Sequence, residues 1–153
     1  MDVTLRILSD RSEALDIAPT FDSIAAEINA EFRDTPVPEA VGLNLIRRHF
    51  GDPEMVIATA LDNERGTRLG LCVTAPLEDP LFGERIPLIV LLHVHPDHRH
   101  CGIAAHLVKA VSGELESRGI HQLAARAGHN DDALISMGER WGFVRHWEVM
   151  LRE

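Results

Sequence analysis

The chain has 153 residues, 45% of them apolar and 25% charged, and its 15 basic against 24 acidic side chains give a formal net charge of −9. That length houses one domain with a real core, expected to span residues 1–153, and not two. No run of about 18 apolar residues is available to cross a bilayer, and the acidity disfavours a protein that grips phosphate backbones, so neither membrane nor nucleic acid is expected as a partner.

The start, "MDVTLRILSD", has an acid at its second position instead of a basic and then apolar secretory pattern. Cys72 and Cys101 are too few and too far apart for a disulfide framework or a repeated zinc motif, so both read as reduced thiols and the expected address is the cytoplasm.

Val3, Leu5 and Ile7 alternate with polar residues, which predicts a first strand with one buried face. Phe21, Ile24, Ala25, Ile28 and Phe32 then recur at helical steps behind Thr20, the expected N-cap, until "DTPVPE" breaks the pattern. A second helical pattern through Val41, Leu45, Ile46 and His49 closes at Gly51. Two β-rich runs around a glycine turn predict a hairpin from about Met55 to Ala75. "PLEDPLFGERIP", with three prolines, reads as a loop, and the run from Leu88 to Val94 is apolar except for His93, as in a strand covered on both faces.

From Gly102 to Gly119 the pattern is helical again, through Ile103, Leu107, Val111 and Leu115. A short strand in "HQLAARA", a helix in "DDALISMGERW" and a last strand in "VRHWEVML" complete the order β-α-α-β-β-β-α-β-α-β, an α/β chain with a mixed sheet flanked by helices.

The junction "HPDHRHCGIA" between the apolar strand and the third long helix carries the chemistry. A helix start presents unpaired N–H groups and the positive end of its dipole, so a glycine-bearing approach to it forms an anion site. Gly102 and Ala104 leave room for phosphate against the backbone, and Arg99 adds a fixed charge with a planar fork of donors. Together they read as a pyrophosphate cradle. Neither G-x-x-x-x-G-K-[ST] nor a G-x-G-x-x-G after the first strand is present, which removes support for nucleotide hydrolysis and dinucleotide binding.

"VHPDHRHCGIA", Val94 to Ala104, resembles the acyl-CoA motif R/Q-x-x-G-x-G/A of the GCN5-related N-acetyltransferases (GNAT), with Arg99, Gly102 and Ala104 at its fixed positions. "NDDALISMGERWGF", from Asn130 to Phe143, is similar to the family's second motif, an asparagine followed by a helix that ends in Gly-Phe. The resemblance implies a mainly antiparallel twisted sheet flanked by about four helices. It implies acetyl-CoA as cosubstrate, no metal, and transfer to an amine of a small molecule or peptide; a CoA-binding regulatory module is the alternative. CoA pyrophosphate would rest on loop amides at Arg99, His100, Cys101, Gly102, Ala104 and Ala105. Backbone groups at Leu92 and Val94, set by a strand bulge, would meet the pantetheine and acyl carbonyl, and Asn130 would contact the pantetheine arm.

Two departures stand out. Gly138 occupies the place of the family's proton-donating tyrosine in a chain without any tyrosine, and Leu88 occupies that of its basic glutamate. His93 is then the candidate base, because imidazole titrates near neutrality, although a half-buried strand histidine is the plainer reading. Ser136 is a weaker proton donor, since a helical serine usually bonds the preceding turn. His93 and His95, on one strand face at spacing two, invite a metal, but the bend from strand to helix points His98, His100 and His106 in different directions and no acidic or cysteine partner falls at a regular ligand spacing. Cys101 reads as a loop residue, and Trp141 and Trp147 as core or interface residues, with a homodimer as one way to cover sheet edges.

Overall fold

The computed structural model describes residues 2–32, 36–128, 130–147 and 149–152. Strands β1 (Val3–Ile7), β2 (Ile57–Asp62), β3 (Thr67–Glu78) and β4 (Arg85–Val94) form an antiparallel sheet in that spatial order. Helices α1 (Arg11–Phe32) and α2 (Val41–His49) cover one face, α3 (Ile103–Ser117) covers the other, and α4 (Asp132–Arg140) follows. The mixed helix and sheet class expected from the sequence is the one observed. No described helix is long and apolar enough to cross a membrane.

Strand alternation divides the core in two. Ile57, Leu71, Val73 and Leu91 point to Ile17, Phe21, Ile24 and Ile46 on α1 and α2. Ala58, Cys72 and Val94 point the other way, to Ile103, Leu107, Val111 and Leu115 on α3. This two-sided cover explains why β2, the middle of β3 and much of β4 lack a polar face. At Gly70 an added Cβ would lie 2.9 Å from Leu107 Cδ1 and 3.1 Å from the His93 carbonyl, so the absence of a side chain lets α3 sit close over the end of β4.

Several elements differ from expectation. Thr20 is not an N-cap: α1 begins at Arg11, where the Asp10 carboxylate accepts from Ser12 N–H at 2.7 Å, and it runs through Pro19. Pro19 removes one helical hydrogen bond, but Ala14, Ile17 and Ala18 in the same stretch are buried, and their packing holds the helix together. The break expected at Asp34–Glu39 falls partly outside the described residues.

Half of the segment expected as a loop at residues 76–87 is strand, because β3 and β4 form a long hairpin in which Pro76 faces Pro87 and residues 79–84 make the turn. The Pro87 carbonyl is turned away from β3 to accept Ala124 N–H at 2.8 Å, so the proline nitrogens sit where the ladder requires no donor between these two strands. The strand expected in "HQLAARA" reduces to one parallel bridge between Leu88 and Ala124. The last expected strand is not formed among the described residues 144–147 and 149–151, where Val144, Val149, Met150 and Leu151 are exposed; Glu148 lies outside the described residues.

Candidate active site

β4 ends in a bulge and an open edge. Val73 pairs with Leu91 and Thr74 with Ile89, so Val90 is the extra residue. On the far side of β4, Ile89 N–H donates to the Ala124 carbonyl at 2.8 Å and Ala124 N–H to that of Pro87 at 2.8 Å, after which the described chain leaves the strand. The two segments splay apart there. His95 N–H bonds the Leu69 carbonyl at 2.7 Å, so by antiparallel alternation the backbone groups of His93 face β3 while those of Leu92 and Val94 face the open edge. The bulge thus lies two residues earlier than Leu92, and its shift of register gives Leu92 and Val94 the edge-facing orientation the sequence suggested for them.

A short 3₁₀ turn, Pro96–His98, leads from β4 toward α3, with His95 Nδ1 accepting from Asp97 N–H at 3.2 Å. Arg99 Nε donates to the Val94 carbonyl at 3.0 Å, folding the loop back over the strand end. His100 and Gly102 then take left-handed φ values of 65° and 81°. Glycine adopts that conformation without strain and histidine does not. The first α3 hydrogen bond is His106 N–H to the Gly102 carbonyl at 3.1 Å. Among the described residues, the amides of His100, Cys101, Gly102, Ile103, Ala104 and Ala105 have no protein acceptor. A run of free N–H groups at the positive end of a 15-residue helix, flanked by a guanidinium, has the donor set that a pyrophosphate needs.

His93 lies on the other face of the sheet, with Leu71 and Leu91, beneath α1. Its side chain is 16% exposed, and Nε2 is buried without a hydrogen-bond partner among the described residues. The nearest anion is Glu27 on α1, whose Oε2 lies 3.6 Å from Nε2, beyond hydrogen-bond length. Burial, and then the positive charge of Arg99, hold the imidazole below its ordinary pKa of 6.5, with Glu27 opposing them. Glu27 was not legible as a site residue: it sits far back in the chain, in a helical pattern that accounts for its neighbours as core.

The other expected residues are placed as follows. Cys101 is exposed, with its thiol 3.7 Å from the Arg99 carbonyl. Ala104 and Ala105 are half-buried in the first turn of α3. Asn130 is exposed just before α4, whose N-cap is Asp131, and no hydrogen bond joins it to the cradle among the described residues. Leu88 sits at the closed end of the splay, paired with Ala124. Gly138 and Ser136 lie in α4, which buries none of its residues fully. Trp147 is exposed and Trp141 half-buried.

Two recesses flank these elements. One of about 550 Å³, lined by Val3, Leu5, Cys101, Ile103 and His106, runs beside the cradle between β1 and α3. Another of about 420 Å³ includes Asp52 and Arg118. It lies at the far end of α3, about 22 Å from the cradle by helical rise, and its Arg118 is occupied by the Pro53 and Met55 carbonyls. Among the described residues no three His, Cys, Asp or Glu side chains converge on a metal-sized position.

Comparison with solved structures finds the same fold. The aminoglycoside acetyltransferase AAC(6')-Iy, solved with a CoA-S-monomethyl-acetylneamine bisubstrate analogue, superposes with a TM-score of 0.73 at 13% identity, covering 100% of this chain and 98% of its own. A ribosomal-protein-alanine N-acetyltransferase from Brucella melitensis biovar Abortus 2308 gives a TM-score of 0.70 at 20% identity, covering 100% and 99%. The aminoglycoside 6'-N-acetyltransferase AAC(6')-IG from Acinetobacter haemolyticus gives 0.69 at 12% identity, covering 98% and 97%. No curated protein matches the chain in sequence. The sequence profile of the Acetyltransferase (GNAT) family matches residues 21–143, most of the chain and both of the motifs around which the site is built, and the protein belongs to that family of acetyltransferases.

Proposed function

We propose that the protein transfers an acetyl group from acetyl-CoA directly to an amine of a small molecule or peptide. The observation that carries this reading is the run of unpartnered amides from His100 to Ala105 at the mouth of α3, beside the open edge of β4. Phosphate, strand edge and acceptor face then follow one another along a single path.

Acetyl-CoA, when bound, supplies the acetyl thioester. The cradle amides and Arg99 would hold its pyrophosphate, and the edge-facing groups of Leu92 and Val94 would align its pantetheine, with Asn130 on the opposite side of the splay. Val94 N–H is a donor aimed at the edge, suited to polarise an acyl carbonyl there. The α3 face is filled by Ile103, Leu107 and Val111. On this reading the amine arrives from the α1 face, where His93, whose pKa burial and then Arg99 hold below its ordinary value, takes up a proton. With Gly138 in place of a tyrosine, the departing thiolate is left to solvent or acceptor for protonation. A thiol pKa near 8.5 makes it a tolerable leaving group without a dedicated acid.

The structural neighbours, which include aminoglycoside and ribosomal-protein acetyltransferases, agree with an amine acceptor and do not choose among amines. The test is calorimetric titration with CoA, followed by thiol release from acetyl-CoA over a broad amine panel. Binding with acetyl transfer is expected. Absence of CoA binding at millimolar concentration would overturn the reading, and binding without transfer to any amine would leave a CoA-binding regulatory module in its place.

A further inference from the structure

Glu27 stands where an amine must arrive. It projects from α1 toward β4 with 66% of its side chain exposed, while the Nε2 atom of His93 lies 3.6 Å behind its carboxylate, shut off from solvent. A solute coming to His93 from the α1 face meets Glu27 first. The charged and titratable groups that bear on the imidazole are Arg99 from the loop, Glu27 from α1 and His95 from the end of β4. Arg99 repels an incoming ammonium, and Glu27 is the anion among the three.

Among the described residues Nε2 itself lacks a partner, a costly state for a buried polar atom that calls for an explanation. The gap to Glu27 is only slightly longer than a hydrogen bond, so one side-chain torsion joins the two groups or parts them. That geometry suits a carboxylate that contacts a substrate cation on one side and the imidazole on the other.

We propose that Glu27 receives the ammonium group of a cationic primary amine and passes its proton to His93 Nε2, which makes Glu27 the residue that selects cationic acceptors. This inference rests on the acetyl-transfer reading. The proton balance is complete without any further reagent. R–NH₃⁺ gives one proton through the carboxylate to Nε2 and becomes R–NH₂, whose nitrogen forms the C–N bond to the acetyl carbon as the C–S bond breaks. One of the two remaining amine protons leaves the nitrogen as the thiolate is protonated while the other stays on the amide, yielding amide and thiol, and the imidazolium returns its proton to solvent.

The test compares wild type with Glu27→Gln, which keeps the shape and removes the charge at an exposed helix position. The acceptors are 1,4-diaminobutane, doubly cationic at pH 7.5, and p-anisidine, neutral there. The ratio of kcat/KM for the diamine over p-anisidine is expected to fall about three- to fivefold in Glu27→Gln, an effect of one largely exposed ion pair, and to return largely in Glu27→Asp. Independently of any acceptor, the His93 imidazole followed by NMR is expected to titrate at lower pH in Glu27→Gln, since the carboxylate raises its pKa. An unchanged selectivity ratio overturns the proposal, and so does an unmoved His93 titration. Should wild type bind CoA yet acetylate no amine of the broad panel, the acetyl-transfer reading falls and this proposal with it; acetylation of other amines with neither of these two accepted overturns the proposal alone, and loss of selectivity in an active enzyme concerns Glu27 alone.

Discussion

Arg99 Nε donates to the Val94 carbonyl at 3.0 Å, so the residue that brings positive charge to the cradle also ties the loop to the last residue of β4. The clamp takes up an outward-facing carbonyl at the open edge and leaves the Val94 N–H free. One side chain therefore shapes both the loop of free amides and the strand end.

Arg99→Ala is expected to weaken CoA binding by about ten- to a hundredfold, the worth of a charge-assisted contact together with a loosened loop. Arg99→Lys, which keeps the charge and loses the fork, should fall between. Calorimetry with CoA measures both. Because Arg99 lowers the His93 pKa, its removal moves the imidazole titration to higher pH, opposite to the effect of Glu27→Gln.

At Gly102 backbone conformation and space separate cleanly. Its φ is 81°, while the nearest atom to an added Cβ is His106 Cε1 at 3.9 Å, an ordinary contact. Gly102→Ala should cost about 1–2 kcal/mol through left-handed strain alone, lowering Tm by roughly 2–8 °C while a CoA-induced rise in Tm survives in part. Gly102→Val adds a branched side chain over the free amides and should abolish that rise. Thermal melts with and without CoA distinguish the two, and an equal response would show that the cradle lies elsewhere.

The loop-to-helix junction was legible because its conformation is local: Arg99, Gly102 and Ala104 lie close together in the chain, and a glycine before an apolar helical period states its own conformation. The β2–β3 hairpin and α3 were legible for the same reason. What escaped depended on distant partners. Pro19 reads as a helix break until Ala14, Ile17 and Ala18 are seen packed on the sheet, and Pro76 reads as a loop residue until it meets Pro87 across the hairpin. The β-favouring side chains of Val144, Trp147 and Val149 predict a strand, but a strand also requires a neighbour to complete its ladder. Glu27 is the extreme case, since only the tertiary fold brings it to His93.

Acid should destabilise the protein through its half-buried histidines. The folded pKa of His93 is lowered, first by burial and then by Arg99, and that of His49 is lowered, first by burial and then by Arg48. A group whose folded pKa lies below its unfolded value contributes stability that is present above the unfolded value and lost as pH falls through the folded one. Stability should therefore be level above about pH 6.5 and decline below it. Urea unfolding between pH 8 and 5 is the measurement, and His93→Gln should flatten the decline, with His49 accounting for the part that persists. The same protonation of His93 should set the acid limb of kcat/KM.

Gly138 stands in the interior of α4 at the position where the family resemblance expects a tyrosine. An added Cβ there meets Phe143 Cβ at 3.8 Å, an ordinary contact, and no left-handed φ is involved. Gly138→Ala is accordingly expected to stabilise the protein by about 0.5–1 kcal/mol through reduced unfolded-state freedom, raising Tm by roughly 1–4 °C. A fall in Tm would mean that this helix position must stay bare.

The two thiols should differ in kind. Cys72 is enclosed between β3 and α3, and burial pushes its pKa up to about 12, so it has almost no thiolate at neutral pH. Cys101 is exposed in the cradle, one residue before Gly102. Ellman's reagent on the native protein should therefore titrate one thiol per chain and reach the second only after denaturation, with Cys101→Ser leaving no fast-reacting group. If the amides around Cys101 hold pyrophosphate, saturating CoA should slow its modification several-fold. Dephospho-CoA, which keeps the pyrophosphate, should protect nearly as well, whereas pantetheine, which lacks it, should not. Equal protection by pantetheine would mean that the ligand covers Cys101 by its arm and not by its phosphates, and the cradle would lose its assigned role.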